Sequence, residues 1–200
     1  SNMNKSIYFS ADQKDPFAFL LDDEYVFDLL DIGYTLAPEG IDLGDVKPKT
    51  SYVDIEGADG RIDVTNALTD DVKFDNREVR VAYSSTDNLS DRFILDQLFS
   101  GKERKMYVDD WYMEGRFALE SSYSYPVRSY SIIGDCKPYR YNSDESVQTF
   151  EVTDTLECSI DYADTMPVCP TINVSSDMEL TLYGSVYSLK QGDNIVPDLI

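Results

Sequence analysis

The chain has no histidine in 200 residues, only three cysteines and a single tryptophan. Without histidine, a serine or cysteine nucleophile has no imidazole base, and no G-x-S-x-G elbow is present. Cys136, Cys158 and Cys169 form no C-x-x-C pair, so a structural zinc site is not expected. Three cysteines cannot all pair within one chain, and no signal peptide precedes the fold. Reduced, buried thiols in a cytoplasmically made protein are the default, with a Cys158 to Cys169 bridge left open. Basic residues are also scarce: 17 Lys and Arg against 38 Asp and Glu give a net charge of −21. That balance disfavours contact with phosphates and argues against a nucleic-acid reader. No apolar run approaches membrane-spanning length, so a soluble chain with no membrane partner is expected. Ser1-Asn2 ahead of Met3 reads as the scar of tag removal.

What the chain does have is 42% hydrophobic and 12% aromatic residues, enough for one domain or two small ones with packed cores. Residues 51–65 predict a β-hairpin. Gly57 and Gly60 supply positive φ at its turn, and Ile62 and Val64 alternate with polar residues as a half-buried strand does. Residues 73–83 repeat the pattern, with Val79, Val81 and Tyr83 on one face and Glu78, Arg80 and Ala82 on the other. Residues 90–99 predict the main helix, because Ile94, Leu95, Leu98 and Phe99 fall on one stripe. Asn88 or Ser90 can cap it, and Gly101 ends it.

Other strands are expected at 7–9, 105–108, 111–119 and 125–133, with a turn at Asp109-Asp110. Gly115 marks a bulge or a close backbone approach. Residues 25–27 fit a strand or a helical turn, and 37–48 read as a loop. After Tyr141 the texture becomes more polar, with short alternating segments at 147–160, 171–174, 179–183 and 186–189. The expected class is therefore mainly β (α+β). An N-terminal antiparallel β domain, residues 1–140, carries one packed helix at 90–100, and a smaller β domain occupies 141–200.

Five short motifs occur in one order: Gly57-Ala58-Asp59-Gly60-Arg61-Ile62-Asp63-Val64-Thr65, then Asn76-Arg77, Gly101-Lys102, Tyr112 to Gly115-Arg116, and Cys136-Lys137-Pro138-Tyr139. In this the chain resembles the distal tail protein family of long-tailed, siphovirus-type phages and prophages. The resemblance covers roughly residues 51–141. It implies a virion structural protein of the tail tip or baseplate, a hexameric ring joining the tail tube to the host-adhesion device. Its partners would be other copies of itself, the tail tube and tape-measure proteins, and a tail-tip or receptor-binding protein. It also implies that the second domain is a galectin-like β-sandwich, and since this chain stops at Ile200 that sandwich is expected to be short or incomplete. A ring subunit needs two complementary surfaces. Arg61, Arg77 and Arg116 are the candidates for ordering them, with Asp59, Asp63 and Asp75 as partners. For Arg77 and Arg116 an intrachain strand-to-strand bridge is the competing expectation.

Three other chemistries have some footing in the residues. Asp109 or Asp110 with Glu114, beside Trp111 and Tyr112, could be imagined as a glycosidase pair. In so acidic a chain adjacent aspartates are common and favour turns, so no catalysis is expected. Asp22-Asp23-Glu24 and Asp70-Asp71 lack the order of a calcium loop and read as solvated loops, so neither metal nor cofactor is expected. Fifteen tyrosines, among them Tyr123, Tyr125, Tyr130, Tyr139 and Tyr141, suit either sheet packing or a contact surface. The rival reading is accordingly a non-catalytic carbohydrate-binding β-sandwich.

Overall fold

A computed structural model describes residues 7–67, 73–85, 92–124, 127–143, 147–157, 171–182 and 184–195. The chain divides into two compact units, Ser1–Ser146 and Val147–Ile200. In the first, strands β1 (Ile7–Ser10), β2 (Phe19–Leu21), β3 (Glu24–Asp28), β4 (Thr35–Asp42), β5 (Tyr52–Asp54), β6 (Arg61–Asp63) and β7 (Arg77–Ser85) precede helix α1 (Arg92–Phe99). Strands β8 (Lys102–Val108), β9 (Trp111–Ser124), β10 (Val127–Cys136) and β11 (Tyr141–Asn142) follow it. The mainly-β, α+β class is thus as expected, with one α-helix among the described residues.

Most of these strands form a single antiparallel sheet in the order β2-β3-β1-β8-β9-β10-β7-β4, with β11 pairing β9. Side chains alternate across its pleat, so Val79, Val81 and Tyr83 of β7 are buried while Glu78 is exposed. The helix lays Leu95, Leu98 and Phe99 on the same buried side, and Phe93 points away at 80% exposure. Phe9, Phe27, Phe99 and Phe117 converge there, the Phe9 and Phe99 centroids 4.9 Å apart at 85°. The cap candidates Asn88 and Ser90 lie outside the described residues.

Several sequence readings are corrected or resolved. Residues 25–27 are strand, and the acidic Asp22-Asp23 pair is the β2–β3 turn, with both residues at positive φ of 47° and 66°. Residues 37–42, read as loop, belong to edge strand β4. Its register slips between Leu36 and Ile41, and this irregularity accommodates Pro38. Gly115 marks close approach and no bulge, because the β9–β10 register runs unbroken from Val127↔Ser124 to Cys136↔Gly115. A Cβ at Gly115 would sit 2.6 Å from Cys136 Cα, so any larger residue would force the strands apart.

In the second unit the described residues form two small antiparallel sheets. One pairs β12 (Thr171–Val174) with β15 (Gly192–Ile195), and the other pairs β13 (Met178–Leu182) with β14 (Ser185–Leu189). Val174 and Leu189 are buried between partly buried neighbours such as Leu180 and Leu182. The strand expected at 147–160 does not form at 147–157, where Val147 is 78% exposed. Alternation alone does not make a strand when no neighbouring strand accepts its hydrogen bonds. No helix among the described residues is long and apolar enough to cross a membrane.

Candidate functional site

The hairpin of β5 and β6 stands apart from the large sheet, as a two-stranded sheet of its own. Gly57 and Gly60 take positive φ of 83° and 82° as the sequence requires. Its base is tied by Ser51 N–H donating to Thr65 Oγ1 and Val64 N–H to the Ser51 carbonyl, both at 2.9 Å. Pro48 bridges Phe74, which packs edge-on against Tyr139. The cross-strand register places Val53 opposite Ile62 on one side, and Tyr52 opposite Asp63 and Asp54 opposite Arg61 on the other.

Burial of Ile62 was expected and is not found. Val53 and Ile62 are 48% and 51% exposed, and Ile55 just beyond them is exposed too. The strands alternate, but no layer packs against the apolar side within the described residues. The result is an amphipathic arm with a bare apolar face.

The six candidate residues are not gathered in one place. Arg61 holds Asp54 at 3.1 Å on the polar side of the hairpin. Asp59 is exposed at the turn, and the Asp63 carboxyl is held below its ordinary pKa by the Thr65 hydroxyl and by the Thr65 N–H, which donates to it at 2.9 Å. Asp75 meets Lys49 at 3.7 Å beside the hairpin base. Arg116 makes an intrachain bridge to Glu103, its cross-strand partner, at 2.7 Å, and also donates to the Gly101 carbonyl.

Arg77 is different. It lies opposite Cys136, which in turn lies opposite Gly115, and therefore on the other sheet face from Arg116. Its Nη2 donates to Met113 Sδ at 3.6 Å, and its buried Nε has no partner among the described residues. Burial and the nearby Arg140 charge lower its pKa from the ordinary arginine value. Burial likewise pushes the Cys136 thiol up to about 12, where it is inert. Cys158 and Cys169 lie outside the described residues.

The carboxylates considered for catalysis are engaged or in turns. Glu114 holds Lys137 at 2.6 Å, and Asp109 occupies the β8–β9 turn at φ 52°. An open cleft of about 570 Å³ on this sheet is lined by Glu103, Lys105, Glu114, Arg116 and Lys137. Its bridges Lys137–Glu114 and Arg116–Glu103 largely neutralise one another. Among the described residues no three carboxylate or cysteine side chains gather as a metal site. Of the acidic pairs, Glu24 meets Lys105 at 3.7 Å, and Asp70-Asp71 lie outside the described residues.

The tyrosines divide between core and surface. Tyr130 is buried against Tyr34, while Tyr8, Tyr107, Tyr112 and Tyr141 form one cross-strand row. In that row Tyr112 stacks on Tyr141 at 5.3 Å and carries Lys105 Nζ 5.1 Å from its ring centre, so its ring is engaged within the chain. Tyr125 and the Tyr123 side chain lie outside what the structure describes.

Two features escaped the sequence reading. Asp15 and Arg104 form a buried ion pair at 2.8 Å, and Arg140 lies over the Trp111 ring at 5.4 Å. Neither belongs to a local pattern, since one joins residues 89 positions apart and the other depends on how β11 returns to β9.

No family model matches this chain, and no curated protein matches it.

Proposed function

We propose that the chain is a structural subunit of a phage or prophage tail tip, similar to the distal tail proteins. It would assemble as a ring between the tail tube and the host-adhesion device. The observation that carries this reading is the bare apolar face of the β5–β6 hairpin, within the first of the five ordered motifs. A free two-stranded hairpin is marginally stable, and one that exposes Val53, Ile55 and Ile62 has apolar area to gain from a neighbour. Head-to-tail closure requires two unlike surfaces on each subunit. The arm supplies one. The edge of the large sheet at β2, which exposes Leu20, offers a different surface. The acidic charge and the absence of histidine are compatible with a scaffold, without being specific to one.

The test is Val53→Glu with Ile62→Glu, which puts two charges on the arm's apolar face. Both positions are about half exposed, so unfolding free energy should change by no more than about 0.5 kcal/mol per site. Self-association measured by sedimentation should weaken by about tenfold or more. Association equal to that of the parent would remove the arm from the interface.

A further inference from the structure

In a chain with 38 acidic and 17 basic residues, an arginine should find a carboxylate. Arg61, Arg80, Arg92, Arg104 and Arg116 each do, at 2.7–3.5 Å. Arg77 and Arg140 hold none among the described residues. Instead they share one corner of the sheet. Arg77 opens β7 opposite Cys136, and Arg140 follows β10 and lies over Trp111, with Met113 the weak acceptor of an Arg77 N–H. Two like charges lie near each other, one half-buried with an unpartnered Nε, and no carboxylate among the described residues answers them. Burying a guanidinium without a partner is costly, and native proteins ordinarily answer such groups.

We propose that Arg77 and Arg140 are the cationic half of a contact between copies of this chain, receiving carboxylates from the acidic surface of a second copy. This rests on the ring reading. A second copy fits because of charge complementarity: the chain's net charge is −21, so nearly any surface of a neighbour brings acids to this corner. A nucleic-acid phosphate fits poorly, because a long polyanion would meet the same −21 field with only two local cations to hold it.

The test compares self-association of the full chain with that of Arg140→Glu and Arg140→Lys by sedimentation at about 0.15 M salt. Arg140 is exposed, so these variants fold, and circular dichroism checks that they do. Arg140→Glu should weaken association by about tenfold or more, and Arg140→Lys should keep it within about threefold of the parent. Association of Arg140→Glu equal to the parent's overturns this pairing and leaves the ring reading standing. A parent chain that stays monomeric overturns both. A lowered unfolding midpoint that does not vary with protein concentration would mean that the carboxylate comes from the same chain, which also overturns the proposal.

Discussion

Replacing Asp15 by alanine is expected to destabilise the first unit by about 3–5 kcal/mol, as removal of one partner of a buried ion pair does. Asp15 and Arg104 are only 6% and 5% exposed, and Arg104 also donates through Nε to the Leu98 carbonyl at the end of α1. Lys102 approaches the same carboxylate at 3.3 Å. Without Asp15 the Arg104 guanidinium would remain buried with a single carbonyl for an acceptor. The pH dependence has a definite sign. Burial pushes the Asp15 carboxyl up, but the Asp12 amide, Arg104 and Lys102 outweigh it and hold the pKa below the ordinary aspartate value of 3.8. A carboxyl with a lowered folded-state pKa contributes stability that is complete above the unfolded value and fades as pH falls through the folded one. Urea unfolding of parent and variant should therefore differ most at neutral pH and converge in strong acid. Equal midpoints at pH 7 would show that the pair does not hold the unit together.

Phe99→Ala should cost about 3–5 kcal/mol, the range for truncating a buried aromatic. Phe99 is fully buried and joins the helix to the sheet through Phe9, Phe27 and Phe117, at centroid distances of 4.9, 5.3 and 6.5 Å. The control lies on the same helix, where Phe93→Ala should stay within about 0.5 kcal/mol because Phe93 is 80% exposed. Chemical unfolding followed by tryptophan fluorescence reads the first unit selectively, since Trp111 is the chain's one tryptophan. A Phe99→Ala loss no larger than that of Phe93→Ala would mean that the helix does not anchor the core. The two units can unfold separately, so each transition is fitted on its own.

These two effects differ in how far the sequence foretold them. Leu95, Leu98 and Phe99 announce themselves by helical spacing, and Val79, Val81 and Tyr83 by alternation, because such periods follow from backbone geometry alone. Asp15 carries no such signal. It sits in an acidic chain between Lys14 and Pro16, and only the folded sheet brings Arg104 to it. The hairpin is intermediate: its glycines and its Val53↔Ile62 pairing follow the pattern, yet a pattern cannot say whether an apolar face meets its own chain or another. The same limit explains Arg116 and Arg77. Both are cations in an acidic chain, and the fold gives one a cross-strand glutamate and leaves the other without a carboxylate among the described residues. Residues 147–157 show the reverse failure, an alternating segment that pairs with no strand among the described residues.

If copies of this chain close head-to-tail into a ring, electron microscopy of the purified full chain over a range of concentrations should show closed annular particles with a central opening and rotational symmetry, scarcer in the Val53→Glu, Ile62→Glu variant. Particles that remain single 22.7 kDa chains at every concentration would contradict it.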